Sequence, residues 1–445
     1  MAETSATTGT GEPASRPRRS SWKYIGPGIV VAATGVGAGD LVATLIAGSK
    51  FGYTLMWAAV IGCVVKISLA EAAGRWHLAT GRTLFDGWRS LGPWTTVYFA
   101  VYVVLWGFIY GATAMSSSAL PIVALFPDGP GLKFWAIVTG LIGLAFVWFN
   151  RYAVFEKVMT VLIGIMFVVV VYVAARVVPD VGASFAGLLP VLPDGSLLYT
   201  LGLIGGVGGT ITMAAYGYWV NAKGWSNSSW MKVMRLDNRV AYITTGVFVV
   251  AMLIVGAELL HASQVALTSG DRGLIDLGKV LEDRFGAGTA KLFLVGFFAT
   301  SFSSLIGVWH GVSLMFADFV ERFRAPGAGA AKTEEHEEHE EHEGHEGPDV
   351  AERRQRSLPF RAYLLWLTFP PMTLLWLDQP FGLVIAYGVL GAFFMPFLAL
   401  TLLWLLNSSR TPEEWRNGWV SNGMLALSGL LFIVLCVQQV RELPW

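Results

Sequence analysis

Along the chain, apolar runs alternate with short polar connections, and each run is long enough to cross about 30 Å of hydrocarbon as a helix. The runs fall at roughly 25–48, 54–74, 96–120, 133–150, 154–177, 197–222, 240–262, 290–320, 360–378, 381–405 and 419–440, which predicts an all-α protein with 11 transmembrane spans. Two runs carry glycine clusters where a membrane helix is ordinarily continuous. Span 1 has Gly35, Gly37 and Gly39 just before Asp40, and span 6 has Gly205, Gly206, Gly208 and Gly209. Spans 1 and 6 open two five-span halves, so the chain divides into repeat one (25–177), repeat two (197–405) and an extra helix (419–440). Paired interruptions at corresponding positions of two halves point to an inverted-repeat transporter whose site is built from unwound backbone at mid-membrane. Irregular backbone at that depth is tolerated only where it is buried or lines a polar cavity. The bland alternative is that the glycines simply let helices pack closely.

Composition sharpens the class. Of 445 residues, 54% are hydrophobic and 14% charged, against about 25% charged in soluble domains. A net charge of zero gives no reason to expect nucleic acid. The expected partners are the lipid bilayer and a small cation or solute. Cys63 and Cys436 lie far apart inside apolar runs and read as reduced packing residues. Residues 1–22, rich in Ser, Thr, Gly and Pro, read as a disordered tail and not a signal peptide, ahead of one transmembrane domain over 23–445. The connections after even-numbered spans hold most of the loop Lys and Arg, among them Arg75, Arg82, Arg89, Lys223, Arg235, Arg322 and Arg354. The positive-inside rule then places the N-terminus in the cytoplasm and the C-terminus outside, in the plasma (inner) membrane.

The eighth connection, 325–358, is low in complexity and rich in His and Glu, with His336, His339, His342 and His345 recurring every three residues. Imidazole and carboxylate together suit divalent metals, so the tract is expected to sense or buffer metal on the cytoplasmic side. A solvated acidic segment with incidental His is the alternative.

Within the spans, Asp40 carries the central expectation. An ionised carboxylate at the bilayer centre costs at least a few kcal/mol, so it persists where it meets a cation or a basic partner. Asp40 is read as the carrier of the substrate's charge, or else as a cap for the resumed half of span 1 or a partner of Lys66. Lys66 lies within span 2, followed by Glu71. It is read either as a built-in cation that replaces a co-transported ion or as a structural partner of Glu71. Met213 offers a soft thioether to Mn²⁺ or Fe²⁺, or plain packing. His310 could carry a proton, or bond a backbone carbonyl. No nucleophile-and-base pair or phosphate loop suggests an enzyme.

The residues GPGIVVAATGVGAGDLVATLIAGSKFGYTLMW (26–57), ATGRTL (79–84), NRYAVFEKVMTVLIGIM (150–166), ATSFSSLIGVWHG (299–311) and the region of Pro396 resemble the Nramp (natural resistance-associated macrophage protein) divalent-metal transporters. The resemblance covers most of the chain and implies a LeuT-like fold, alternating access, a divalent metal as substrate with no other cofactor, and a site between spans 1 and 6. The family's Asp-Pro-Gly-Asn motif falls on Gly37, Ala38, Gly39 and Asp40, which moves the acid from the first position to the fourth. Its span 6 pattern falls on Thr210 to Ala215, keeping Met213 but neither the Pro nor the His, and its span 10 glutamine falls on Gly388. The family's third-span acids meet only Trp106–Ser118, which holds no charge.

The expected substrate site therefore comprises Gly37, Asp40, Gly209, Thr210, Met213 and Gly388, with Asp40 and Met213 as metal ligands and Lys66, Glu71 and His310 handling charge or protons. Two functions follow. One is secondary transport of a divalent metal, Mn- or Fe-like or Mg, uncoupled from protons. The other is transport of an amine, amino acid or bicarbonate in a cavity enlarged by Gly37, Gly39, Gly209 and Gly388 and walled by Tyr216, Tyr218, Trp219 and Tyr387.

Overall fold

A computed structural model describes residues 26–177, 179–206, 208–261, 272–324, 348–377 and 380–442. All regular structure among them is helical: α1 Pro27–Gly35, α2 Ala38–Phe51, α3 Met56–Thr80, α4 Leu84–Leu91, α5 Pro93–Leu125, α6 Leu132–Phe149, α7 Tyr152–Arg176, α8 Val181–Ala186, α9 Leu197–Gly206, α10 Tyr216–Ala222, α11 Met231–Gly256, α12 Arg272–Phe285, α13 Ala287–Arg324, α14 Pro348–Gln355, α15 Leu358–Met372, α16 Pro380–Asn407 and α17 Trp419–Glu442. Seven helical stretches among the described residues are long and apolar enough to cross a membrane: α3, α5, α6, α7, α11 with its flanking turns, α13 and α17. Spans 1 and 6 are absent from that set because each is divided, into α1 and α2 and into α9 and α10.

Local sequence sets several of these limits. Pro27 and Pro93 open α1 and α5 in the first turn, where no N–H is needed. Thr83 and Asp86 form a reciprocal capping box at the start of α4. Two connections between the expected spans contain helices: the one after span 7 includes α12, and the 325–358 segment includes α14. In α14 the charged residues are anchored: Arg354 Nη2 lies 3.0 Å from Asp318 Oδ1 of α13. His336, His339, His342 and His345 lie outside the described residues.

Helix α1 packs against α11, α13 and α7, whereas α2 packs against α11, the π-helical turn Ala257–His261 and α9. The two halves of span 1 thus share α11 but otherwise meet largely different neighbours. Trp76, Trp88, Trp106, Trp219, Trp225 and Trp309 are all wholly buried. Lipid supplies no hydrophobic drive between helices, so such dispersion-rich packing and interhelical hydrogen bonds hold the bundle. Cys63 donates to the Tyr242 carbonyl at 2.8 Å, and no disulfide joins it to Cys436.

Candidate substrate site

Span 1 is interrupted at Val36 and Gly37, and span 6 between Gly206 and the short 3-10 turn Ile211–Met213. The two interruptions touch. A Cβ built on Gly35 overlaps the Gly208 carbonyl carbon and the Gly209 amide nitrogen, so only glycine permits this approach of two backbones. Gly208 and Gly209 adopt φ of +77° and +93°, the left-handed region where a side chain is strained. A Cβ on Gly209 would meet Thr212 Oγ1 and the Gly35 Cα, so these two neighbours occupy the space beside it.

Interrupting a helix frees carbonyl and amide groups that must find partners. The Thr34 carbonyl, in the last turn of α1, accepts from Ser304 Oγ of α13 at 2.8 Å. Tyr110 of α5 places its hydroxyl 3.0 Å from both the hydroxyl and the carbonyl oxygen of Ser304. The Gly208 carbonyl accepts from Tyr242 of α11 at 3.2 Å. The Gly209 carbonyl accepts from the ammonium of Lys66.

Lys66 is wholly buried in α3, with Met395 Sδ 3.8 Å from its Nζ and the Phe432 ring centroid at 5.3 Å. The expected pairing with Glu71 does not occur. Five residues along a helix turn the side chain through about 140°, onto another face. Glu71 instead meets Arg75 Nε at 3.2 Å and Arg235 Nε at 2.9 Å, beside the Trp415–Ser421 connection that also binds the Arg75 guanidinium.

Of the other expected site residues, Met213 is wholly buried at the end of the 3-10 turn. Gly37 faces Ser304, whose Oγ would lie 3.0 Å from a Cβ there. Thr210 lies against Gly391 of α16. Gly388 falls in α16, which runs on without interruption past Pro396. Asp40 is the third residue of α2, and its side chain lies outside the described residues. Thr212, not singled out from the sequence, joins Thr210 in having a buried hydroxyl with no hydrogen-bond partner. Two polar residues following a glycine pair inside an apolar span were the signal for it.

The aromatic wall divides. Tyr387 packs with Trp106 and Tyr110, at centroid distances of 6.0 and 5.1 Å, over the uncharged face of α5. Tyr216, Tyr218 and Trp219 lie elsewhere, on α10, where each is locked to a neighbouring helix. Tyr218 donates to Asp318 at 2.6 Å, and Trp219 Nε1 donates to His310 Nδ1 at 3.0 Å. His310 therefore meets an indole and not a backbone carbonyl, with its ring stacked 4.3 Å from Phe155. Lys223, just past α10, reaches Glu156 of α7 at 2.5 Å.

Asp237 of α11 is a second centre the sequence did not reveal, because it lies just outside the expected seventh span. Its carboxylate is wholly buried and accepts from Gly26 N at 2.9 Å, Gly28 N at 2.5 Å and the Tyr216 hydroxyl at 3.1 Å. It caps α1, which has no side-chain cap of its own, and ties that helix to α10. At the opposite end of the bundle, Tyr53 donates to Glu258 at 2.6 Å, and burial followed by that carboxylate raises the Tyr53 hydroxyl above its ordinary pKa. Among the described residues, no three His, Cys, Asp or Glu side chains group as a metal site.

The architecture has close counterparts. A manganese transporter from Eremococcus coleocola superposes with a TM-score of 0.76 at 17% identity, covering 97% of this chain and 91% of that one. Mhp1, a nucleobase-cation-symport-1 family transporter, superposes at a TM-score of 0.57 and 14% identity, covering 94% and 92%. At these identities the likeness establishes the LeuT-like fold alone. In sequence, a divalent metal cation transporter MntH from Mycobacterium tuberculosis is 25% identical over 94% of this chain and 93% of its own length. The MntH of Chromohalobacter salexigens is 28% identical over 56% of this chain, and the match spans 60% of that relative. The model of the natural resistance-associated macrophage protein-like family matches residues 28–441. With its interrupted spans and this match over nearly its whole length, the chain belongs to the Nramp family of membrane transporters.

Proposed function

We propose that this protein is a secondary transporter that carries a divalent metal cation by alternating access, through the junction of its two interrupted spans. The observation that carries this reading is the short segment Gly209–Met213. One turn there presents a freed backbone carbonyl, two unpartnered buried hydroxyls and a thioether directly beside the interruption of span 1. Buried polar atoms without partners call for an explanation, and a role as substrate ligands is one. Mixed oxygen and sulfur donors suit Mn²⁺ or Fe²⁺ better than Mg²⁺, in keeping with relatives described as divalent metal cation transporters. Asp40, two residues past the start of α2, supplies the negative charge. The end that carries the start of α1 faces the cytoplasm, since Lys223, Arg235, Arg322 and Arg354 gather there. Closing that end are the links from α10 to Asp237, Asp318, His310 and, through Lys223, Glu156. No charged side chain occurs along Trp106–Ser118 of α5, so transport proceeds without the third-span acids that would pass protons. The test is uptake of Mn²⁺, Fe²⁺ and Mg²⁺ into proteoliposomes. Saturable flux abolished by Asp40→Ala supports the reading; absent flux, or flux indifferent to that change, removes it.

A second reading is favoured by one observation. The buried ammonium of Lys66 at the junction suits a solute with a carboxylate, such as an amino acid or bicarbonate. Stabilisation of the protein by such anions and by no metal would select it.

A further inference from the structure

The Gly209 carbonyl belongs to the expected substrate site, yet a side chain of the protein itself holds it. Lys66 reaches it from α3, a helix that is not interrupted, and packs on α9 and on the short turn Ile211–Met213. An ammonium is a compact point charge with several rotatable donors, and in a wholly buried place it is tolerated only against oxygen, sulfur or a ring face. Lys66 has all three, in the Gly209 carbonyl, Met395 Sδ and the Phe432 ring. A structural lysine at a membrane interface would snorkel to water. This one is directed inward, onto the carbonyl of a residue in the left-handed conformation whose backbone lies against span 1.

We propose that Lys66 is a tethered cation: its ammonium occupies the substrate cation's place at the Gly209 carbonyl, and a substrate metal must displace it to use that oxygen. This deepens the proposed function and rests on it for the identity of the displacing ion. Two positive charges at one buried carbonyl repel strongly, so Lys66 and metal compete for it. The apparent affinity for metal falls by the fraction of molecules in which the carbonyl is free. The lysine thereby sets the concentration at which the carrier loads. It also keeps the freed carbonyl paired while the site is empty, so the unloaded carrier needs no bound ion to hold the junction together.

The experiment has two arms, both on the full chain in detergent. In the first, Mn²⁺ binding is measured for wild type, Lys66→Met and Lys66→Arg. If the ammonium holds the carbonyl in roughly nine-tenths of molecules, Lys66→Met binds Mn²⁺ about tenfold more tightly than wild type, and Lys66→Arg gains nothing. Equal or weaker binding by Lys66→Met overturns the inference while leaving metal transport standing. The second arm needs no metal. Lys66→Ala is purified with and without n-propylammonium, which restores the missing stem and charge, and with 1-propanol, which restores the stem alone. Recovery of folded protein, or a raised Tm, with the amine only supports the inference. The same response to amine and alcohol, or none to either, overturns it. Rescue by the amine with no Mn²⁺ binding by any variant retains the cation place and removes the metal reading instead.

Discussion

The carboxylate of Asp237 accepts the amide of Gly28 at 2.5 Å, a bond between side chain and backbone that joins residues 209 positions apart. With Gly26 and Tyr216 it gives the first half of span 1 a cap borrowed from span 7. A helix start carries partial positive charge and unpaired N–H groups, so a buried carboxylate there is held without a basic residue bonded to it. Asp237→Ala leaves two amides without their acceptor, each buried orphan costing about 1–3 kcal/mol, while the Tyr216 hydroxyl keeps only the Met234 carbonyl at 3.3 Å. The expected outcome is a clear fall in Tm together with faster hydrogen exchange in α1, while Asp237→Glu recovers part of both. Unchanged exchange in α1 would contradict the capping role.

Gly35→Ala is expected to abolish transport. The added methyl overlaps the Gly208 carbonyl and the Gly209 amide. Neither neighbour is a flexible side chain that can turn aside, and overpacking of this kind costs about 1–3 kcal/mol. Uptake into proteoliposomes and thermal unfolding are measured together. Normal flux in Gly35→Ala would show that the two interruptions need not approach each other.

The anchor of α14 is expected to matter more for stability than its neighbouring surface pairs. Asp318 is wholly buried between Arg322 Nε at 2.8 Å, Arg354 Nη2 at 3.0 Å and the Tyr218 hydroxyl at 2.6 Å. Removing one partner of a buried pair costs about 3–5 kcal/mol, because the other charge is left uncompensated. An exposed pair contributes about 0–1 kcal/mol. Asp318→Ala should therefore lower the Tm far more than Glu352→Ala, which removes only the exposed contacts to Arg151 and Arg356. Because Tyr218 and Trp219 tie α10 to α13, Asp318→Asn should also raise the labelling rate of a cysteine placed in α10. Equal Tm losses for the two alanine variants would refute the anchor.

His310 is expected to be structural. Its Nδ1 accepts from the Trp219 indole, which leaves the ring hydrogen on Nε2, and the ring packs on Phe155. His310→Phe should reduce stability yet keep the pH profile of transport. A profile that flattens in this variant would restore the proton-carrying role.

Much of this was legible in the chain. The paired glycine clusters located both interruptions, in span 6 because Gly208 and Gly209 take positive φ and in span 1 because Gly35 lets the two backbones approach. Lys66 stood out because an ammonium inside a span has few places to go. What the sequence could not give was which carbonyl it reaches, since that depends on how α3 docks against the interruption of span 6. The same reason hid Asp237 and Asp318, whose partners lie 209 and 100 residues away or come from the low-complexity connection 325–358. The partners of Tyr216, Tyr218 and Trp219 were hidden for a related cause. Aromatic content near a site marks packing as readily as a wall, and only the rotation of α10 separates the two.

The central claim is that the substrate sits where the two interruptions meet. Anomalous scattering from crystals of the full chain at saturating Mn²⁺ tests it most directly. The expected result is a peak between Gly37–Asp40 and Gly209–Met213, with the Lys66 ammonium moved off the Gly209 carbonyl. A junction without a peak, Lys66 still in place, and Mn²⁺ found only along His336–His345 would contradict it.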